Sequence, residues 1–161
     1  MLKKLKARKI QPAGGHFAIV ASRYNERYVD ALLRSARAVL EEAKVEGVQI
    51  VRVPGAYEIP VVAATLARAD SPYFSAIICL GVIFRGETSH AQLIAEAVSH
   101  ALAQIQITAV MPVIHGVYLF ENKQQANIRC LGKEHNRGVE AGRTALDMAE
   151  IMKHIHKTNF T

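Results

Sequence analysis

The chain of 161 residues lacks several features that particular protein classes require. It has no tryptophan and only two cysteines, Cys79 and Cys130, which form neither a CxxC motif nor a Cys/His ligand spacing. This cysteine usage argues against a disulfide framework and a zinc site, and it suits a reducing compartment. The longest apolar runs fall well short of the roughly 20 residues that a membrane span needs, and no secretory signal is visible. We therefore expect a cytoplasmic protein with no metal and no membrane contact.

The excess of positive charge is concentrated at the start of the chain. The formal net charge is +6, and five of the basic residues lie in the opening MLKKLKARKI. Without these five charges the rest of the chain would carry only +1. Such an arm is either solvated or a contact for nucleic acid. The nearly neutral body favours the first interpretation, so we expect no nucleic-acid partner.

Short apolar runs alternate with stretches of helical periodicity. The runs FAIVAS (17–22), VQIVRV (48–53), SAIICLGV (75–82) and AVMPVIHGVY (109–118) predict four strands, and their lack of polar alternation is typical of a sheet covered on both faces. Strand and helix in alternation predict an α/β fold with a doubly wound parallel sheet. We expect one domain over 13–157, preceded by the basic arm (1–12) and followed by a short tail (158–161).

The segments after the predicted strands carry the candidate functional residues. In a parallel sheet the ligand lies beyond the carboxyl ends of the strands. These ends hold SRYNE, PGAYE, RGETSH and HGVYLFENK. The first has no glycine, which argues against a dinucleotide site or a P-loop, and no GxSxG segment supports a serine hydrolase. The sequence therefore predicts another kind of small-molecule site, with all four segments at one edge of the sheet.

The RGETSH segment has two interpretations. Gly86 would let a ligand approach the backbone, Thr88 would cap the following helix, and the first N–H groups of that helix would attract an anion. His90 would supply a titratable imidazole beside the anion. The same composition also fits an ordinary loop between a strand and a helix. The segment alone leaves both interpretations open.

Four other side chains at this edge are equally ambiguous when taken singly. Tyr24 is either a face for a flat ring or a cover for the edge of the core, and Glu58 is either a ligand contact or a first-turn charge. Arg129 and Arg137 either bind an anion or are solvated helix residues. Their joint placement favours a flat polar ring with a hydroxylated tail, together with a partner that carries phosphate.

Taken together, these segments resemble the lumazine synthase family. The resemblance runs through HFAIVASRYN, VPGAYEIP, GVIFRGETSH, PVIHGV, QQANIR and NRGVEAG, and it leaves only the basic arm and the last few residues uncovered. It implies a single-domain, flavodoxin-like three-layer α/β/α sandwich with a four-stranded parallel sheet. An N-terminal arm of the family type would run toward the sheet of a neighbouring subunit.

The resemblance implies an enzyme of riboflavin biosynthesis. Family members condense 5-amino-6-(D-ribitylamino)uracil with 3,4-dihydroxy-2-butanone 4-phosphate to 6,7-dimethyl-8-ribityllumazine, releasing phosphate and water without a metal or organic cofactor. They form homopentamers, some of which assemble into decamers or icosahedral shells, and their active sites lie between subunits. The implied partners are therefore small-molecule substrates, further copies of the chain and riboflavin synthase.

The resemblance also implies roles for particular residues. His90 matches the histidine taken to be the proton shuttle, and Arg137 and Glu140 match residues with supporting roles. The implied phosphate site consists of Gly86, Glu87, Thr88 and Arg129. The implied site for the uracil ring and ribityl chain consists of Tyr24, Ala56, Tyr57, Glu58, Gly81, Val82, Ile83 and His115.

Several positions depart from the family pattern. His115 stands in place of a phenylalanine, Arg137 in place of a lysine, and Ala91-Gln92-Leu93 in place of an aromatic-acid-aromatic run. These changes make a second function conceivable, namely a carrier that binds flavin or lumazine and has weak catalysis. The principal phosphate and proton-transfer positions are kept, so we expect synthase activity.

Overall fold

Strands and helices alternate along the chain as predicted. The computed structural model describes residues 9–70 and 73–158, so most of the predicted basic arm (1–8) and the end of the tail (159–161) lie outside the described residues. The strands are β1 (His16–Ser22), β2 (Gly47–Val53), β3 (Phe74–Phe84) and β4 (Val113–Phe120). The helices are α1 (Glu26–Glu42), α2 (Ile59–Ala67), α3 (His90–Ala109), α4 (Lys123–Ala126) and α5 (Arg137–Thr158). A 3-10 turn (Ala56–Glu58) precedes α2, and a π-helical turn (Asn127–Leu131) follows α4.

The four strands form a parallel sheet in the order β2-β1-β3-β4. β1 and β3 are central and almost entirely buried, which explains why their sequences show no polar alternation. β2 and β4 are the outer strands of this sheet. The register pairs Phe84 with Phe120, so the residues that follow β3 and β4 emerge side by side. The segments that follow β3 and β4 therefore lie at the same edge of the sheet, as predicted.

Each face of the sheet packs against its own pair of helices. On one face, Ile78 and Leu80 of β3 belong to a core that includes Leu32 of α1 and Ala145 of α5. On the other face, neighbouring β3 residues belong to a core with Ala63 of α2, and Val98 and Leu102 of α3. Both cores are built from the alternating side chains of the same strands. The result is the predicted flavodoxin-like three-layer α/β/α arrangement.

Helices α1 and α5 approach each other closely. A Cβ atom at Gly138 would collide with the backbone of Leu32, and one at Gly142 would lie 3.0 Å from the carbonyl oxygen of Ala36. Only a residue without a side chain allows two backbones to come so near. This contact fixes the start of α5, where Arg137 lies.

The last strand begins and ends later than the sequence predicted. Helix α3 continues to Ala109, and Val110 ends it with a left-handed backbone (φ 51°). β4 then starts at Val113, where the backbone N–H donates to the Gln106 side chain at 3.0 Å. His115 is consequently the third residue of a strand rather than part of the loop that follows it.

Among the described residues, no helix has the length and apolar character to cross a membrane.

Candidate active site

The loops after β1 and β2 are joined by their backbones. The N–H groups of Arg23 and Tyr24 donate to the carbonyl oxygen of Pro54 at 3.1 and 3.0 Å. Asn25 has a left-handed backbone (φ 59°), and its side-chain amide donates to the carbonyl of Val82 at 2.8 Å. Asparagine tolerates this conformation better than most residues. A single asparagine therefore links the loop after β1 to the end of β3.

The Tyr24 ring lies against Gly55 and remains largely open to solvent. A Cβ atom at Gly55 would lie 2.9 Å from Cδ2 of Tyr24, and Tyr24 itself is 68% exposed. The exposure argues against a role in covering the core. Glu58 accepts a hydrogen bond from the Gly55 N–H at 2.9 Å through Oε2, while Oε1 makes no hydrogen bond within the described part of the chain. Glu58 thus caps its own turn and still offers one oxygen to a ligand.

Gly81, Val82 and Ile83 lie at the carboxyl end of β3, beside these loops. A Cβ atom at Gly81 would lie 3.3 Å from the hydroxyl oxygen of Ser22, which is buried and has no hydrogen-bond partner among the described residues. Ala56 is buried in the 3-10 turn and the neighbouring Tyr57 is exposed. The buried Ala56 side chain therefore anchors the turn next to the exposed Tyr57.

The segment from Gly86 to His90 is exposed and leads directly into α3. Among the chain's ten glycines, only Gly86 has no described atom within 4 Å of an added Cβ position. Folding of the chain therefore does not require a glycine there. The expectation that Thr88 caps α3 is wrong: Ser89 is the residue before the helix, and its side chain makes no capping hydrogen bond. The Thr88 hydroxyl accepts from the His90 N–H at 3.4 Å. The first N–H groups of a helix lack intrahelical partners and favour an anion.

Arg85 anchors this segment, a role that the sequence analysis missed. Its backbone N–H donates to the carbonyl of Phe120 at 2.9 Å, and its Nε atom lies 2.8 Å from both carboxylate oxygens of Glu121. Nη2 also donates to the Gln92 side chain at 3.0 Å. Arg85 and Glu121 each follow a strand, so the pairing of β3 with β4 brings them together. A prediction that β3 and β4 are parallel neighbours would have been enough to place Arg85 beside Glu121.

A second group of site residues lies on the α5 side of β4. Arg129 belongs to the π-helical turn and Arg137 starts α5, and both line a cavity of about 520 Å³ beside the β4 residues from Val117 to Phe120. The Arg137 guanidinium lies 5.9 Å from the centre of the Tyr118 ring and forms an ion pair with Glu140. Two cations therefore face one cavity. We call Tyr118, Arg129, Arg137 and Glu140 the β4-edge group.

Asn136 holds the two arginine-bearing segments together. Its side-chain oxygen accepts from the N–H groups of Gly138 and Val139 at 2.9 and 3.1 Å, and so caps α5. Its side-chain amide donates to the carbonyls of Cys130 and Gly132 at 3.0 and 3.1 Å. The sequence analysis did not single out Asn136, although asparagine just before a helix is a typical capping signal.

Burial raises the pKa of Tyr118 to about 12, with Arg137 acting in the opposite direction and Glu140 reinforcing the shift. The phenol is therefore protonated near neutral pH and serves as a ring surface for Arg137. Burial also raises the pKa values of the Cys79 and Cys130 thiols to about 12. Neither cysteine is a nucleophile at neutral pH, since only the thiolate is reactive.

Within residues 9–70 and 73–158, no three His, Cys, Asp or Glu side chains are grouped to hold a metal ion.

His115 lies on the α3 side of β4 and is held by a short chain of hydrogen bonds. The Ser99 hydroxyl donates to the carbonyl of Ala95 at 2.8 Å and lies 2.7 Å from His115 Nε2. The Val117 N–H donates to Nδ1 at 3.4 Å. Nε2 therefore carries the proton of a neutral ring. Partial desolvation lowers the pKa of His115 and so favours the neutral ring over the charged one.

The predicted site residues other than His115 thus fall into two groups within one chain. The loop group consists of Tyr24, Ala56, Tyr57, Glu58, Gly81, Val82, Ile83 and the segment from Gly86 to His90. No hydrogen bond or ion pair within the described residues joins Arg129 or Arg137 to that group. α3, which starts in the loop group, covers one face of the sheet, and α5 covers the other. One chain therefore does not, by its own bonds, unite the predicted phosphate loop with Arg129.

Comparison with known proteins identifies the family to which this arrangement belongs. The family model for 6,7-dimethyl-8-ribityllumazine synthase matches residues 14–153. A protein of that name from Thermococcus onnurineus (strain NA1) is 41% identical over 140 residues, which cover 87% of this chain and 90% of the relative. Those from Xylella fastidiosa (strain M12) and Stenotrophomonas maltophilia (strain R551-3) are 38% and 36% identical over 146 residues, covering 89% of this chain and 94% and 93% of the relatives. The chain belongs to the 6,7-dimethyl-8-ribityllumazine synthase family.

Proposed function

We propose that the protein is a lumazine synthase of riboflavin biosynthesis. It condenses 5-amino-6-(D-ribitylamino)uracil with 3,4-dihydroxy-2-butanone 4-phosphate to 6,7-dimethyl-8-ribityllumazine and releases phosphate and water. The observation that carries the proposal is the exposed start of α3, where Gly86, Thr88 and His90 place an anion site beside an imidazole. A substrate with a phosphate leaving group and several proton transfers suits this combination. No cofactor is needed for the reaction.

The phosphate of the butanone substrate binds at the start of α3. The backbone N–H groups from Gly86 to Thr88 are the proposed donors. The open space at Gly86 supports this: the packing of the chain does not need a glycine there, whereas a ligand that approaches the backbone does. The Glu87 side chain points away from the phosphate in the bound state, and Arg129 provides the opposing positive charge.

The uracil substrate occupies the rest of the loop group. The exposed Tyr24 ring stacks on the pyrimidine, and the free oxygen of Glu58 accepts hydrogen bonds from the ribityl chain. The turn at Ala56 and Tyr57 contributes its backbone to the same chain. The main chain from Gly81 to Ile83 contacts the polar edge of the uracil. Because this backbone is packed and hydrogen-bonded before ligand arrives, little order has to be created on binding.

His90 is the proposed catalytic acid and base. Imine formation, phosphate elimination and ring closure each move protons near neutral pH, where an imidazole can give and take them. The Glu140 carboxylate has a supporting role: it balances the charge of the Arg137 guanidinium and holds that side chain in place. Much of the rate is expected to come from holding two reactive molecules in a productive pose. His90 therefore accelerates a reaction that positioning has already favoured.

The separation of the two groups supports an active site shared between subunits. The β4-edge group of one subunit would face the loop group of a neighbour, which would bring Arg129 to the phosphate. His115, on the α3 side of the same strand, would reach the ring pocket of that neighbour. β4 is an outer strand of the described sheet, and the free main-chain groups along the outer side of such a strand invite pairing or coverage. We propose a homopentamer, with riboflavin synthase as the partner that consumes the product. The two free, buried cysteines suit a cytoplasmic location.

The direct test is to mix the purified protein with the two substrates and follow lumazine absorbance and released phosphate. Arg129→Ala is expected to raise the KM for the butanone phosphate roughly 10-fold or more, because a charge-assisted hydrogen bond contributes about 1.5–3 kcal/mol. Arg34→Ala, which removes an exposed arginine from α1, is the matched control and should behave like the parent. Product formation that Arg129→Ala and Arg34→Ala affect equally would contradict the assignment of Arg129.

The carrier function is not favoured, because the relatives are named as synthases. The same experiment tests it. If the assembled protein binds riboflavin or lumazine but forms no product above the uncatalysed background, the synthase proposal fails and the carrier takes its place.

A further inference from the structure

A second cavity lies at the opposite edge of the sheet from the proposed active site. Its volume is about 490 Å³, and it is bounded by the residues that lead into the strands rather than those that follow them. Gly14 and Gly15 precede β1, Tyr73 and Ser75 flank the start of β3, and Pro112 precedes β4. The last turns of α5 form the remaining wall. We call this space the amino-end cavity.

The body of the amino-end cavity is apolar. Phe17 and Pro112 line it from the sheet, and Leu146, Ala149 and Met152 line it from α5. The size falls within the range of typical small-molecule sites, which are mostly apolar with a few polar groups that fix orientation. None of these residues belongs to the loop group or to the β4-edge group. The synthase reaction therefore leaves this cavity without a role.

The charged residues at the cavity are predominantly basic. Lys153, His156 and Lys157 are exposed side chains that line it, and Glu150 is the one acidic residue among its lining. No ion pair among the described residues involves the two lysines or His156. Basic residues in a last helical turn also compensate the helix dipole. That effect accounts for the charges but not for the apolar space beside them.

We propose that the amino-end cavity binds a small amphiphile that has an apolar body and a single anionic head. The body lies between Phe17, Pro112 and the α5 wall, and the head lies at the rim, where Lys153 and Lys157 contact it. Long cationic side chains reach such a position by keeping their stems on apolar surface and their charges in water. One negative charge suits this rim, since Glu150 opposes a higher one. The proposal does not depend on the synthase activity.

The test uses 8-anilinonaphthalene-1-sulfonate, an aromatic amphiphile with one negative charge, on the full-length assembled protein at low salt. Fluorescence titration should show saturable binding of one probe per chain. Decanoate, below its micelle concentration, should displace the probe, whereas the uncharged decanol should displace it more weakly. The two competitors share an apolar chain, so their difference measures the contribution of the anionic head.

Three variants locate the probe. Lys153→Gln removes a charge from an exposed side chain and should weaken probe and decanoate binding roughly 3- to 10-fold, leaving decanol unchanged. Lys133→Gln removes an exposed lysine away from the cavity and should have no effect. Arg129→Ala should also bind the probe normally, because Arg129 belongs to the other edge of the sheet.

Three results would overturn the proposal. They are the absence of saturable binding to the assembled protein, equal effects of Lys153→Gln and Lys133→Gln, and loss of probe binding in Arg129→Ala. The last result would place the probe in the proposed active site. Ala149→Trp, which would fill the cavity, provides a second check: it should abolish probe binding, and retained binding in the folded variant would also overturn the proposal.

Discussion

The loop group and the β4-edge group are held in place by different forces. Hydrogen bonds to backbone carbonyls fix the loop group: the Tyr24 N–H donates to Pro54, and the Asn25 side-chain amide donates to Val82. Side chains fix the β4-edge group, where Arg137 is placed by Tyr118 and Glu140. Each group nevertheless depends on one asparagine, Asn25 or Asn136. In the proposed synthase the loop group would therefore be the more rigid of the two surfaces, and the side chains of the β4-edge group would be the ones that adjust to a ligand.

The largest effect on catalysis is expected from the loop group. His90→Ala should lower kcat by about 10²-fold, the usual contribution of a positioned acid or base, while KM for either substrate changes little. Arg129→Ala in the β4-edge group should instead act mainly on KM. Steady-state kinetics of both variants distinguish these roles. Complete loss of turnover in a correctly assembled His90→Ala variant would contradict the large contribution assigned to positioning.

The largest effect on stability is expected at Asn136. Asn136→Ala removes two capping bonds from α5 and two bonds to the π-helical turn, and should lower the free energy of unfolding by about 2–3 kcal/mol. Denaturant titration measures this. Asn136→Asp keeps the capping oxygen but not the amide donors, so it should lie between the parent and the alanine variant. An aspartate variant no better than alanine would show that the cap contributes nothing.

A smaller loss is expected at Asn25. Asn25→Ala removes one hydrogen bond and places alanine in a left-handed conformation, so unfolding should become easier by about 1–2 kcal/mol. Asn25→Gly removes the same bond but adopts the backbone conformation freely. The glycine variant should therefore be the more stable of the two, and thermal unfolding compares them. The reverse order would mean that backbone strain is unimportant at this position.

The smallest effect is a pH dependence at His115. Its pKa is lower in the folded chain than the ordinary value of 6.5, so the unfolded state binds a proton more readily. Stability should therefore fall as the pH drops below about 6.5 toward the lowered folded pKa, and be fully present above that range. His115→Phe should reduce this slope, as denaturant titrations between pH 5 and pH 8 would show. An identical slope in both proteins would assign the dependence to other groups.

The fold could be predicted from the sequence because the burial of each strand determines its pattern of apolar and polar residues. β1 and β3 are continuous apolar runs in the printed chain and are central strands in the structure. The boundaries of β4 could not be read in the same way, since the apolar character of the segment from Ala109 continues from α3 into the strand. Only the backbone at Val110, which ends the helix, separates them. A left-handed valine has no sequence signal.

The sequence indicates which candidate residues follow the strands, but it does not show that they divide into two groups within one chain. Strand ends are visible in a sequence, so Tyr24, Glu58 and His90 could be placed at one edge. The strand order and the face on which a side chain lies are not visible, so the lack of any bond between Arg129 and the loop group within one chain could not be read from the sequence. Ser99 could not be identified because its partner His115 is distant in the sequence. The cap formed by Asn136 had a sequence signal, but its bonds to the π-helical turn had none.

The contact between α1 and α5 has a mechanical consequence for the site. Gly138 lies one residue after Arg137 and sits directly on the backbone of Leu32, with Gly142 one turn further along. Sliding or rotating α5 would drive this backbone into α1, so the helix start cannot travel toward a ligand. Any displacement of the Arg137 guanidinium must come from rotation of its side chain about a stationary anchor. The positions open to the Arg137 guanidinium are thus set by its side chain alone and not by any movement of the helix.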